Sequence, residues 1–165
     1  MCATIYPLRT FKTIMIKSRS QGFTLIELLV VIAIIGILSS VVLTSLGTAR
    51  NKGNDASMQA SMSSLRSAAE IYYSTNGVYY SGTTVGGCSA GFLDDDSTNA
   101  KTLYTQIKTL SGGAANVDCN LAAGGGSWAM SAKLPSNSTK FFCVDSTGVA
   151  GIRTQKVSSS TCPTS

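Results

Sequence analysis

The chain has 165 residues, of which 44% are hydrophobic and only 13% charged, enough for one modest domain plus an apolar segment. No histidine occurs, which excludes His-based catalytic triads and most zinc sites. The formal charge of +5 suggests a nucleic-acid partner, but Arg9, Lys12, Lys17 and Arg19 all precede Gly22, and the nine cations beyond them face eight acids. The basic character therefore belongs to the first 22 residues, where it orients a membrane helix with its N-terminus in the cytoplasm. It argues against nucleic acid as a partner, because phosphate contacts need clustered Lys and Arg.

Residues 1–21 are basic and Ser-rich. Residues 15–22 (MIKSRSQG) form a compact basic leader, and translation is expected to start at Met15, which would leave Cys2 out of the protein. From Leu28 to Ala49 there is no charge across 22 residues, enough to span the hydrocarbon core as a helix. Beyond it, Met58, Met62, Leu65, Ala69 and Tyr72 recur at intervals of four, three, four and three, an amphipathic stripe. Asn76-Gly77 is the expected stop. A helix from Phe23 to Thr75 would run roughly 80 Å, all-apolar over residues 23–49 and amphipathic over 50–76. A head of this size cannot bury it, so its first half must meet lipid or other subunits.

Residues 77–165 read as a small globular head. Residues 77–126 look irregular and Gly-rich, apart from a short amphipathic helix over 100–110 carried by Leu103, Ile107 and Leu110. Trp128–Leu134 reads as a strand ended by Pro135-Ser136-Asn137. Lys140–Val144 is a second strand, Asp145–Gly148 a turn and Val149–Thr154 a third strand. The expected fold class is α+β: a long N-terminal helix whose stripe covers one face of a small antiparallel sheet. The Ser-rich tail stays loose unless Cys162 pins it. Cys88, Cys119, Cys143 and Cys162 lie beyond the apolar segment, and an even number in an exported head suggests two disulfides with three pairings open. Asp94, Asp95 and Asp96 are weak candidates for calcium ligands, though neighbouring carboxylates do not all point inward and a solvated loop is the better reading. Tyr72, Tyr73, Tyr79 and Tyr80 flank Asn76-Gly77, some packing where helix meets head and others facing solvent. No catalytic constellation is present, and no enzymatic role or resident cofactor is expected.

The basic leader ending in Gly22, the aromatic Phe23 and the lone acid Glu27 in an apolar helix coincide in KSRSQGFTLIELLVVIAIIGIL. Here the chain resembles the type IV pilin and type II secretion pseudopilin superfamily, closely over its first third and in architecture beyond, including Tyr72–Gly77 and Cys143–Gly148. The resemblance implies cleavage after Gly22 by a prepilin peptidase, N-methylation of Phe23, and pairing of Glu27 with the terminal amine of a neighbouring subunit during assembly. It also implies partners: copies of itself and other pilins, an inner-membrane assembly platform with its ATPase, and membrane lipid before assembly. The physics agrees for Glu27, since a carboxylate deep in a membrane helix costs ~2.5–3.5 kcal/mol and an incoming amine could neutralise it in one axial register. An ordinary signal peptide cut near Gly47-Thr48-Ala49 is the contrasting reading, disfavoured by the length of the uncharged run. A pseudopilin, a DNA-uptake or adhesive minor pilin, and a plain bitopic protein are the competing functions. Many pilins kink this helix with a proline; here Thr44 stands there, and no proline occurs between Phe23 and Leu134.

Overall fold

The structure, a computed structural model, describes residues 22–84 and 86–164. The leader, Cys2 and the expected start at Met15 lie outside the described residues. The first helix, α1, runs Leu25–Asn76. It begins two residues later than Phe23 because Thr24 caps it, and it ends at Asn76-Gly77 as the sequence predicts. Gly77 takes φ +74°, a left-handed conformation that costs other residues strain, and its N–H donates to the Tyr73 carbonyl at 2.7 Å.

After a 3-10 turn at Gly91–Asp94, α2 spans Ala100–Leu110, the helix read from its amphipathic spacing. The sheet has four strands, not three: β1 Val117–Leu121, β2 Trp128–Leu134, β3 Asn137–Asp145 and β4 Ala150–Arg153, an antiparallel meander in the order β1-β2-β3-β4. β1 falls inside the stretch read as irregular. Its alternation of Val117, Cys119 and Leu121 is a strand pattern, but Asp118 and Asn120 are poor strand formers, and pairing with β2 outweighs them. β3 starts at Asn137 rather than Lys140, because the β2–β3 connection closes at Pro135-Ser136 and a register shift at Lys133/Leu134 absorbs the extra residues. β4 is shorter than Val149–Thr154.

One face of the sheet packs on α1. Met58, Met62, Leu65 and Ala69 are fully buried with Phe92, Ile107, Leu121, Trp128, Met130 and Val144, and Tyr72 packs against this cluster. Burying each large apolar side chain contributes ~1.5–3 kcal/mol. Two contacts set the direction of α1 along the sheet. Near residue 55, both Asp55 oxygens accept from Ser136, one from its N–H at 3.1 Å and one from its hydroxyl. Further on, Arg66 donates to the Gly148 carbonyl at 2.9 Å.

The tail covers the opposite face. The Val157 N–H donates to the Ser131 hydroxyl (2.9 Å), Asn120 Nδ2 to the Ser158 carbonyl (3.2 Å), and Lys156 pairs with Asp118 (3.1 Å). Disulfides join Cys88 to Cys119 and Cys143 to Cys162. Beside the second, buried Asp145 accepts from the N–H groups of Cys162 (2.8 Å), Thr147 (3.0 Å) and Val149 (3.1 Å) and from the Thr147 hydroxyl (2.7 Å). Burial disfavours its charged form, but these donors outweigh it and hold the carboxyl below its ordinary value.

The tyrosines divide as the sequence reading has it. Tyr79 is buried against Phe92 and Trp128, while Tyr73 stacks on it at 4.6 Å and stays exposed. Burial, with Glu70 accepting the hydroxyl at 2.8 Å, pushes Tyr79 up to about 12. Gly125 lies so close that a Cβ there would sit 2.0 Å from the Tyr80 carbonyl oxygen, so only glycine lets these backbones approach.

Candidate functional site

The candidate residues Gly22, Phe23 and Glu27 lie together at the start of α1. Gly22 and Phe23 precede the helix and are exposed, Phe23 by 78%. Thr24 and Glu27 cap the first turn reciprocally. Glu27 Oε2 accepts from the Thr24 N–H (2.9 Å) and hydroxyl (2.6 Å), and the Glu27 N–H donates to Thr24 Oγ1 (3.3 Å). This is a capping box, which satisfies helix-start donors that would otherwise be orphaned. The Thr-x-x-Glu spacing is legible in the sequence, yet the reading above assigns Glu27 only an assembly role. Glu27 thus has a hydrogen-bond partner within its own chain.

Beside that carboxylate lies a shallow, open groove of about 480 Å³ lined by Phe23, Ile26, Glu27, Val30 and Val31. From Leu25 to Leu46 the helix buries nothing within this chain. It is long and apolar enough to cross a membrane. Chemically, the segment offers one hydrogen-bonded anion at the helix start, where the macrodipole favours negative charge, and an exposed apolar surface.

The remaining candidates lie elsewhere and do not join this site. The four head cysteines are consumed in disulfides. Asp94 and Asp96 both pair with Lys101 (3.2 and 3.6 Å), which raises the lysine pKa, while Asp95 accepts from the Ser97 hydroxyl and N–H, bonds that lower its own. Among the described residues no group of three or more His, Cys, Asp or Glu is arranged to hold a metal ion.

A membrane-compatible helix with a capped acid at its start, continued by an amphipathic half that closes a disulfide-bonded sheet, defines a pilin-like fold. The family model described as "Prokaryotic N-terminal methylation motif" matches residues 17–43. The chain is 44% identical over 62 residues to the Type IV wide pilus major component PilA4 of Thermus thermophilus, covering 38% of this chain and 47% of that one. It is 34% identical over 130 residues to the Fimbrial protein of Neisseria meningitidis, covering 74% of this chain and 72% of that one. No solved structure matches. The chain belongs to the type IV pilin family, as a structural subunit carrying the N-terminal methylation motif.

Proposed function

We propose that the chain is a prepilin cut after Gly22 and methylated on Phe23, which polymerises through α1 into a type IV pilus-like filament. Before assembly it crosses the cytoplasmic membrane once, N-terminus inside; afterwards its head faces out on an extracellular pilus. Its partners are copies of itself and other pilins, the prepilin peptidase, and an assembly platform driven by an ATPase. The observation that carries this reading is the capped Glu27 carboxylate beside an apolar helix face that stays exposed over Leu25–Leu46. On leaving lipid, the apolar face is covered by neighbouring helices. The amine at a neighbour's Phe23 then takes over the carboxylate, so one axial register is rewarded. Both relatives reported above carry pilus or fimbrial names, which favours a pilus over a periplasmic secretion pseudopilus.

Glu27→Gln tests the charge role apart from the cap, because glutamine also serves in a capping box. The expected outcome is loss of sheared surface filaments with full recovery of the protein in membranes. Wild-type filaments from Glu27→Gln would remove the amine-pairing role. Sequencing the mature N-terminus checks the processing step: Phe23 supports it, and Arg50 replaces it with an ordinary signal-peptide cut.

A further inference from the structure

The head carries its cations unevenly. Arg50 and Lys52 lie on α1 just past the last residue of the uncharged run, Ala49. The hydrogen bonds from Ser136 to Asp55 hold the β2–β3 hairpin beside this part of the helix. The strand arms next to that hairpin bring Lys133 and Lys140, and Arg153 shares the rung of Lys133 through Phe141, on the sheet face away from α1. Five of the nine cations beyond Gly22 thus collect at one end of the head, and none forms an ion pair among the described residues. The acids nearest these cations are Asp55, occupied by Ser136, and Asp118, which lies opposite Ser131 on the face of Lys133 and is paired with Lys156. Glu70 and Asp145 lie toward the other end, near Tyr79 and opposite Ala129.

We propose that this basic end binds the anionic phosphate headgroups of the membrane in which α1 is embedded, and so docks the head before assembly. The inference rests on the membrane-spanning reading above. Chain geometry selects lipid over other polyanions. Counted from Ala49, Arg50 and Lys52 stand about 1.5 and 4.5 Å along the helix, and Asp55 with its hairpin about 9 Å. The headgroup layer is roughly 5–7 Å thick on each side of the hydrocarbon core, and charges act over about 8–10 Å at moderate salt. Arg50 and Lys52 therefore lie within the headgroup layer, and a tilt of the head toward an anionic surface brings Lys133, Lys140 and Arg153, a few strand residues beyond the hairpin tip, onto it, whereas a soluble polyanion would have to enter the same gap. Extraction into a filament must break this contact. Lipid charge then tunes how readily the subunit leaves the membrane.

The test uses the full chain in nanodiscs of phosphatidylcholine alone or with about one-third phosphatidylglycerol. A fluorophore is placed at exposed Ser138 (Cys2→Ser/Ser138→Cys) and quenched by a headgroup spin label. Each cation near an anionic surface strengthens binding about fivefold, so quenching is expected to rise severalfold in the anionic discs. That rise should vanish in about 0.5 M NaCl and in Lys133→Gln/Lys140→Gln, and survive in Lys133→Arg/Lys140→Arg. Equal quenching in both lipids, or a rise that persists in the Gln variant, overturns the proposal. So does salt-sensitive capture of a DNA duplex with no dependence on lipid charge. A chain that fails to enter the discs instead overturns the membrane-spanning reading.

Discussion

The two halves of α1 belong to one helix and meet opposite fates. From Leu28 to Leu46 the large apolar side chains are 46–69% exposed, whereas Met58, Met62, Leu65 and Ala69 are 0% exposed. Hydrophobicity alone does not explain this, because the exposed half is the more apolar. The difference lies in pattern. The second half concentrates its apolar residues on one stripe that a small sheet can cover, while the first is apolar all round and needs a partner on every side. The head covers the stripe of one half and leaves the apolar side chains of the other exposed.

The sharpest way to break this comparison is to truncate both halves. Leu65→Ala should destabilise the head by ~2–5 kcal/mol, read as a drop in the thermal midpoint of the full chain in detergent. Leu38→Ala should leave that midpoint unchanged, because Leu38 is exposed and lies outside the buried core; an equal drop would mean that the two halves are stabilised alike. Next in size is the tail. Cys143→Ser/Cys162→Ser opens a bridge with sequence separation 19 and should cost ~3 kcal/mol, with membrane insertion of the first half unaffected in fractionation. Asp145→Asn should cost about 1.5–3 kcal/mol, the range for hydrogen bonds to a charged group, in urea unfolding at neutral pH. Its pH dependence has a definite sign. The folded carboxyl titrates below its ordinary 3.8, so its contribution is fully present above that value and is lost as pH falls through the lower folded value. The gap between wild type and Asp145→Asn should therefore narrow in acid. Smallest is Arg66→Ala, which removes one exposed bond to the Gly148 carbonyl and should cost ~0.5–1.5 kcal/mol.

Much of the fold was legible because the signals were local. The stop at Asn76-Gly77, the helix Ala100–Leu110 and the strand Trp128–Leu134 each follow from a few adjacent residues. β1 was not, because Asp118 and Asn120 mask its alternation until β2 pairs with it. The site divides in the same way. Gly22, Phe23 and Glu27 stand out by order in the chain, and the Thr24–Glu27 box was readable from its spacing. The basic end of the head was not, since Lys133, Lys140 and Arg153 lie some eighty to a hundred residues from Arg50 and Lys52.

By itself the sequence determined the apolar segment, its lone acid, the amphipathic stripe and the number of head cysteines. These are one-dimensional properties of residue type and period, and they need no knowledge of what lies opposite. Tertiary structure alone decided which cysteines pair, which face of the sheet the tail covers, and that buried Asp145 stays a well-satisfied anion. Each of these depends on groups far apart in the chain meeting at hydrogen-bond or disulfide distance, and only the register of the packed sheet sets that.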